Sequence, residues 1–109
     1  MISLIRDNLE EITRLCRKYG VEYLDVFGSA VNGSFDDNKS DIDFLVEFLD
    51  YGPGVGERFL NLAGDLEALL GRPVDLITDR SIKNRFFRQS VNRSRIPVYC
   101  ERSDRQVVA

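Results

Sequence analysis

The spacing of apolar residues divides this chain into helix-like and strand-like segments. Apolar side chains recur every three or four positions over residues 5–19 and again over 59–70, which predicts two amphipathic helices. Between and after them lie short runs of β-branched and aromatic residues bounded by glycine, proline or polar residues, which predict strands. The predicted strands are Val21 to Phe27, Asp41 to Val46, Val74 to Thr78 and Ile96 to Cys100.

The order of these elements is helix, strand, short helix, strand, helix, strand, helix, strand, with the short helix starting at Ala30. Such alternation is typical of an α/β (α+β) domain. We therefore expect one small domain over residues 1–109, with a mixed sheet of about four strands and helices packed on it. Its core should span about residues 1–100, and the last residues, 103–109, should be frayed.

Two apolar groups are candidates for the interior. The leucine-rich stripe over 59–70 is interpreted as core. Phe86 and Phe87, on the last predicted helix, are interpreted as core or as a partner interface rather than as a platform for stacking bases.

Composition narrows the chemistry that the chain can perform. The 109 residues include no histidine, which excludes Ser-His-Asp and Cys-His catalysis and histidine-based zinc sites. Cys16 and Cys100 lack metal-ligand spacing and are interpreted as reduced packing residues. No apolar stretch is long enough to span a membrane, and the N-terminal residues lack a secretory pattern, so we expect a cytoplasmic protein without a membrane partner.

Charge is distributed unevenly along the chain. Residues 1–71 carry 14 acidic and 6 basic side chains, a balance of −8, whereas residues 72–109 carry 4 acidic and 9 basic, a balance of +5. The cationic side chains either face an anionic partner, such as a nucleotide or nucleic acid, or form a solvated helix face. We favour the solvated face and expect no direct binding of nucleic acid. The cations concerned are Arg80, Lys83, Arg85, Arg88, Arg93 and Arg95.

The most informative feature is a pair of aspartates at i and i+2 in a predicted strand. Asp41 and Asp43 should point to the same side while Ile42 points back, because side chains alternate between the faces of a strand. Two carboxylates in one small volume repel each other unless a cation lies between them, and such pairs commonly hold Mg²⁺ together with substrate phosphates. Asp75, in the next predicted strand, is a candidate third ligand.

These motifs together resemble a known family. A strand that ends in Gly28-Ser29, an Asp-x-Asp strand at Asp41 and Asp43, and a third aspartate at Asp75 are the signature of the polymerase-beta-like nucleotidyltransferases. The narrower resemblance is to the minimal nucleotidyltransferases, many of which are antitoxins encoded beside a HEPN-domain toxin. It rests on the runs Phe27 to Ala30, Ser40 to Val46 and Gly71 to Leu76. The resemblance covers roughly residues 1–100.

The resemblance implies a role for each motif residue. Gly28 and Ser29 would bind the triphosphate of ATP, with Gly28 allowing close approach of the backbone and Ser29 donating its hydroxyl and amide. Asp41, Asp43 and Asp75 would be the catalytic residues and would hold two Mg²⁺ ions. The implied reaction is transfer of AMP from ATP to a hydroxyl, most simply a tyrosine of a cognate HEPN toxin with which the chain forms a hetero-oligomer.

Two departures from the family pattern affect the loop before the aspartate strand. The spacer between Ser29 and Asp41 has eleven residues, one more than the family usually has, which predicts a bulged loop. Asn32 stands where many members carry a basic residue, and this loss of a cation predicts weaker triphosphate binding. A one-residue insertion need not move the strands, because closure entropy changes little with loop length.

Two alternatives to the protein adenylyltransferase stay open. The chain is also compatible with an antitoxin that covers its toxin by binding alone, with an idle or weakly active site. Transfer to a small molecule or to RNA is a third possibility, which we rank lower because 109 residues leave no room for a separate substrate domain.

Overall fold

A computed structural model of the protein describes residues 1–33, 36 and 40–101. The strands are β1 Val21–Phe27, β2 Ile42–Phe48, β3 Val74–Thr78 and β4 Ile96–Cys100. The helices are α1 Ser3–Arg6, α2 Leu9–Lys18, α3 Ser29–Asn32, α4 Val55–Leu70 and α5 Arg85–Ser94, and a 3₁₀ turn spans Asp79–Ser81. The predicted tail from 103 to 109 lies outside the described residues.

The four strands form one mixed sheet in the order β3-β2-β1-β4. β1 pairs antiparallel with β2 and with β4, whereas β2 and β3 are parallel and are joined by a crossover through α4. A parallel pair requires such a crossover, and the long amphipathic α4 supplies it. The predicted α+β class with a mixed four-stranded sheet is confirmed.

The two faces of the sheet differ because β2 places only apolar residues on one face and its acidic residues, together with Leu45, on the other. Ile42, Phe44 and Val46 are fully buried on the face that α2 and α4 cover. Asp43 and Leu45 point to the opposite face, where α5 packs. The main core and the aspartates therefore lie on opposite sides of the same strand.

A second, smaller core packs α5 against the face of the sheet to which Asp43 points, which we call the aspartate face. Phe27 of β1, Leu45 of β2 and Val91 of α5 are buried together, with Ile77 and Ile82 packed against them. This cluster places α5 across the sheet close to the end of β1, where the Gly-Ser motif begins.

A buried ion pair fixes the C-terminal end of α5. The carboxylate of Asp25 is fully buried and accepts a hydrogen bond from Arg95 Nε at 2.7 Å. Arg95 Nη2 also lies 3.2 Å from Asp79 Oδ2, and Asp79 forms a further ion pair with Arg88. Because the Asp25 carboxylate has lost its hydration, the attached guanidinium is what makes its burial tolerable.

The cationic C-terminal part is therefore largely balanced from within the fold. Arg88 and Arg95 pair with acidic groups of the sheet face, and Arg80 pairs with Glu47 at 3.0 Å. The remaining candidates, Lys83, Arg85 and Arg93, are exposed to solvent. The structure supports the solvated interpretation for the exposed three and assigns the others to ion pairs.

Three predictions about helices need correction. The helix predicted over 5–19 is divided into α1 and α2, because Asn8 adopts a non-helical conformation and its side-chain amide donates to Leu4 O at 2.7 Å. The helix predicted over 59–70 begins earlier, at Val55, directly after Gly54, whose φ of +89° is not helical. The short helix begins at Ser29, one residue before the predicted start.

Two hydrophobic assignments are only partly right. Within α4, Leu62, Leu66 and Leu70 are buried, but Leu60 is 69% exposed because it lies one position off the apolar stripe. Phe86 is 67% exposed, so it does not belong to the core.

The cysteines are free thiols, as predicted. Cys16 is buried on α2, and burial raises the pKa of its thiol to about 12. Among the described residues, no helix combines the length and the apolar character that a bilayer crossing requires.

The Asp25–Arg95 pair should make a measurable contribution to stability. Asp25→Ala leaves the half-buried guanidinium of Arg95 without its main partner, so we expect the free energy of unfolding to fall by about 2 kcal/mol. Urea denaturation followed by circular dichroism measures this change. Asp7→Ala, at an exposed aspartate, is the matched control and should change stability by less than about 0.5 kcal/mol. Equal effects of the two substitutions would contradict a structural role for the pair.

Candidate active site

Gly28 forms the turn between β1 and α3. Its φ of +75° and ψ of −142° are open to glycine but strained for other residues. Its carbonyl oxygen accepts hydrogen bonds from the N–H groups of Val31 at 3.0 Å and Asn32 at 3.1 Å. The chain therefore turns sharply at the end of β1, and Ser29 becomes the first residue of α3.

The same glycine lies directly against one of the predicted aspartates. A Cβ added to Gly28 would meet Asp43 Oδ2 at 2.7 Å, which is closer than real Cβ atoms approach an oxygen. The backbone conformation thus favours glycine at this position, and a larger residue would also require the Asp43 carboxylate to shift. The family resemblance implies a different reason, which is close approach of the backbone to a triphosphate.

Asp43 and Asp75 are adjacent partners in the parallel register of β2 and β3. Paired residues on neighbouring strands share a face, so both carboxylates project on the side opposite the buried Ile42. Asp41 directly precedes β2 and is exposed, as is Asp75, whereas Asp43 is half-buried. The three predicted aspartates therefore lie at the end of the sheet where β2 and β3 begin, which we call the aspartate edge.

The electrostatics of Asp43 reflect this crowding. Its pKa is raised from an ordinary value of 3.8 to about 6, first by burial and then by the negative charges of Asp75 and Asp41. A proton or a bound cation relieves this repulsion. Near neutral pH the carboxylate is mostly ionised and would favour a cation beside it.

The arrangement of carboxylates is open rather than enclosed. Within the part of the chain that the structure describes, no three carboxylate or thiol side chains already surround a space that would hold a metal ion. Mg²⁺ commonly binds to one or two carboxylates and completes its octahedron with water and substrate phosphates. Hard oxygen donors on a half-open edge, with a raised carboxyl pKa, fit an ion that is shared with a nucleotide.

Two residues that the sequence analysis missed hold this edge in place. Ser94, the last residue of α5, accepts a hydrogen bond from the N–H of Gly28 at 2.9 Å. Arg72 Nη2 donates to Ser40 O at 2.7 Å, next to Asp41. Arg72 belongs to the run from Gly71 to Leu76 that carries the family resemblance, but no local pattern encodes either contact, since both join segments far apart in the chain.

The loop before Asp41 is only partly described. Asp36 is exposed, and its N–H donates to Ser40 Oγ at 2.8 Å. Asn32, at the end of α3, is also exposed. Residues 34, 35 and 37–39 of this loop lie outside the described residues, so the predicted bulge stays a prediction.

Exposed aromatic side chains flank the site at the start of α5. The ring of Phe87 contacts Phe27 edge-on at a centroid distance of 6.2 Å, and Phe27 is the strand neighbour of Asp43. Phe87 is 42% exposed. Phe86 is 67% exposed. Of the two predicted roles, core or partner interface, only the partner interface is compatible with that exposure.

The structure also contains an apolar cavity of about 380 Å³ that lies away from the carboxylates. It is formed at the far ends of β2 and β3, beside the start of α4, and none of the predicted aspartates lines it. Its walls include Phe48, Tyr51, Val55, Phe59, Leu76 and Thr78. We therefore place the candidate active site at the aspartate edge and not in this cavity.

Comparison with known proteins agrees with this geometry. The sequence model of the family described as polymerase beta, nucleotidyltransferase, matches residues 10–104. The match spans the Gly-Ser turn and all three aspartates.

Two curated relatives are both named as protein adenylyltransferases. A candidate protein adenylyltransferase of Methanocaldococcus jannaschii is 35% identical over 98 residues, covering 89% of this chain and 97% of that protein. The protein adenylyltransferase MntA of Thermococcus cleftensis is 40% identical over 89 residues, covering 77% of this chain and 87% of that protein.

Solved structures show the same fold. A protein described as a minimal nucleotidyltransferase superposes with a TM-score of 0.70 at 34% identity, covering 84% of this chain and 90% of that one. A chain of a toxin–antitoxin complex crystallised with AMP-PNP gives 0.68 at 27% identity, covering 89% and 77%. The Shewanella oneidensis complex of an MNT antitoxin with a tri-AMPylated HEPN toxin gives 0.62 at 24% identity, covering 92% and 76%, and shows the shared fold alone.

The aspartate edge, the family match over most of the chain and relatives above 30% identity all lead to one assignment. The chain belongs to the polymerase beta nucleotidyltransferase family and, within it, to the group of MntA-like protein adenylyltransferases.

Proposed function

We propose that this protein is an antitoxin that transfers AMP from ATP, with Mg²⁺, to a tyrosine hydroxyl of a cognate HEPN toxin. The observation that carries the proposal is the placement of Asp43 and Asp75 side by side in the parallel register, with Asp41 before them and the Gly28 backbone against Asp43. This is a negatively charged edge beside a close-approach backbone turn, which suits a nucleotide bound together with metal.

The comparisons support the donor and the partner. One structural neighbour at 27% identity is a toxin–antitoxin complex with AMP-PNP, an ATP analogue. The complex from Shewanella oneidensis, which has the same fold, contains a HEPN toxin that carries AMP groups. Extending these properties to the present chain is our proposal.

The proposed reaction is an in-line displacement at the α-phosphorus of ATP. The acceptor oxygen forms a new bond to phosphorus, the bond between the α-phosphorus and the bridging oxygen breaks, and pyrophosphate leaves. The hydroxyl proton passes to Asp75 or to water. Ser29 would donate its hydroxyl and its amide to oxygens of the departing pyrophosphate, and the Gly28 turn would hold Ser29 close to them.

Asp41, Asp43 and Asp75 would hold the metal ions. Two Mg²⁺ ions bound there would offset charge on the attacking and the leaving oxygen and lower the pKa of the acceptor hydroxyl. The contribution of the chain is to keep the three carboxylates on one face and to crowd them enough that they favour a cation.

Substitution of an aspartate should distinguish an antitoxin that transfers AMP from one that only binds its toxin. In an assay with α-labelled ATP, Mg²⁺ and the HEPN protein encoded beside this chain, we expect label on the toxin. Asp43→Asn should reduce the rate by roughly 10³-fold, because a neutral amide neither repels nor chelates as the carboxylate does. The matched control, Asp7→Asn, should retain full activity.

The same variants test the binding-only alternative in cells. If Asp43→Asn still protects cells from the toxin as well as wild type does, and wild type transfers no label, the protein neutralises by binding and the transferase proposal is wrong. Label found on RNA or on a small molecule instead would identify the third possibility.

The raised pKa of Asp43 predicts a pH-dependent effect on stability in metal-free buffer. Because the folded-state pKa of about 6 exceeds the ordinary 3.8, the folded protein holds this proton more tightly than the unfolded chain does. The carboxyl thus destabilises the fold progressively as pH rises from about 4 through 6. Asp43→Asn should therefore stabilise the protein at pH 7 by about 1 kcal/mol, a value reduced for solvent screening, and hardly at all at pH 4.

Thermal unfolding in EDTA at the two pH values measures this difference. Asp7→Asn serves as the control, since Asp7 is exposed. A stabilisation by Asp43→Asn that is the same at pH 4 and pH 7 would show that charge repulsion is not its cause.

The close approach of Gly28 to Asp43 gives a prediction with a matched glycine control. Gly28→Ala places a methyl group 2.7 Å from Asp43 Oδ2 and strains a backbone with φ of +75°, so the carboxylate or the turn must move. A displacement of this size should lower the rate of AMP transfer by roughly 100-fold.

Gly64→Ala is the control, because nothing lies within 4 Å of an added Cβ there. It should leave transfer unchanged and stabilise α4 by about 0.5–1 kcal/mol. Full activity of Gly28→Ala would show that the contact with Asp43 is not needed.

A further inference from the structure

We propose that Ser94 is a positioning residue for the nucleotide, acting through Gly28. This inference rests on the proposed function, because it concerns the same Gly28-Ser29 turn. The N–H of Gly28 donates to Ser94 Oγ at 2.9 Å, across 66 positions of sequence. The carbonyl of Gly28 already accepts from Val31 and Asn32. The backbone N–H and the carbonyl of Gly28 therefore both form hydrogen bonds that set the turn. Ser29, the next residue, is the one that we propose binds the phosphates.

Ser94 is itself held rigidly. It ends α5, and the next residue, Arg95, donates to the fully buried Asp25 at 2.7 Å. The backbone N–H of Arg95 donates to the carbonyl of Val91 at 2.9 Å, and Val91 is buried against the sheet. The Ser94 hydroxyl is thus carried by a helix end that Val91 and the Asp25–Arg95 pair anchor to the sheet, and it transmits that position to the turn.

The tolerance of the turn is small because Gly28 is also close to Asp43. An ideal Cβ on Gly28 would lie 2.7 Å from Asp43 Oδ2, so the glycine has little space on that side. The Ser94 bond fixes the amide of the same residue. Together the two contacts set the distance between the proposed phosphate-binding residue, Ser29, and the proposed metal-binding carboxylate, Asp43.

Loss of the Ser94 hydroxyl should weaken ATP binding more than it slows chemistry. The phosphate contacts of Ser29 would exist in the bound substrate as well as in the transition state, and loss of such uniform binding raises KM with little change in kcat. For Ser94→Ala we expect KM for ATP to rise roughly five- to tenfold and kcat to stay within about twofold. Ser94→Thr keeps the hydroxyl and should restore KM.

Ser90 provides a matched control on the same helix. It is exposed on α5, so Ser90→Ala should leave KM and kcat at wild-type values. A second measurement monitors the bond directly, by amide hydrogen exchange of Gly28 in ¹⁵N-labelled protein. Exchange at Gly28 should accelerate in Ser94→Ala and return to the wild-type rate in Ser94→Thr.

The experiment measures initial rates of AMP transfer against ATP concentration with the cognate toxin, and Mg·ATP binding by calorimetry. Raised KM and raised Kd in Ser94→Ala, with rescue by threonine, support the inference. A lower melting temperature with unchanged KM and Kd shows a structural role only and overturns it. A fall in kcat at constant KM overturns it as well, since Ser94 would then act in the chemical step.

The outcomes separate this inference from the proposed function. If wild type binds Mg·ATP, binds it more weakly after Ser94→Ala, and transfers nothing, Ser94 positions the nucleotide and the transferase proposal fails. If wild type transfers AMP and Ser94→Ala is indistinguishable from it, the transferase stands and this inference fails. A wild-type protein that binds no Mg·ATP overturns both.

Discussion

The site depends on the register between β2 and β3, which keeps two like charges side by side. Asp43 and Asp75 are register partners, while Ile42 and Phe44 on the same strand are fully buried on the other face. A slip of one residue would turn the buried apolar side chains to solvent and the carboxylates into the core. The hydrophobic core therefore provides the free energy that holds the carboxylates together against their repulsion.

Helix α5 packs on the same face and reaches the turn at Gly28 and Ser29. Ion pairs in the C-terminal part, such as Arg95 with Asp25, account for part of the uneven charge of the chain. Two of the cations after residue 72 are placed over acidic groups that come from the first part, in the pairs of Arg95 with Asp25 and Arg80 with Glu47. These pairs join distant segments, so the C-terminal part contributes to the same face, while Lys83, Arg85 and Arg93 are exposed to solvent. Ser94 then connects this anchored helix to Gly28.

The sequence predicts well what depends on local periodicity. Three strands begin and end where the apolar runs do. The spacing of Asp41 and Asp43 also predicts their proximity, since the charge of Asp41 contributes to the raised pKa of Asp43. Prediction from the sequence fails where a contact with a distant or competing group determines the local structure. The side chain of Asn8 interrupts the first helix, and the contact of Gly28 with Asp43 and its bond to Ser94 join segments whose pairing no local pattern encodes.

The energetic cost of the aspartate edge bears on the choice between catalysis and simple binding. Burial, and then the charges of Asp75 and Asp41, raise the pKa of Asp43 to about 6, so the ionised carboxylate destabilises the metal-free fold near neutral pH. An antitoxin that acted only by covering its toxin would have no physical use for that repulsion, and an asparagine would give a more stable protein. A crowded, charged edge beside a glycine turn is the kind of feature that functional sites keep at the expense of stability. The geometry therefore favours a transferase over a protein that only binds.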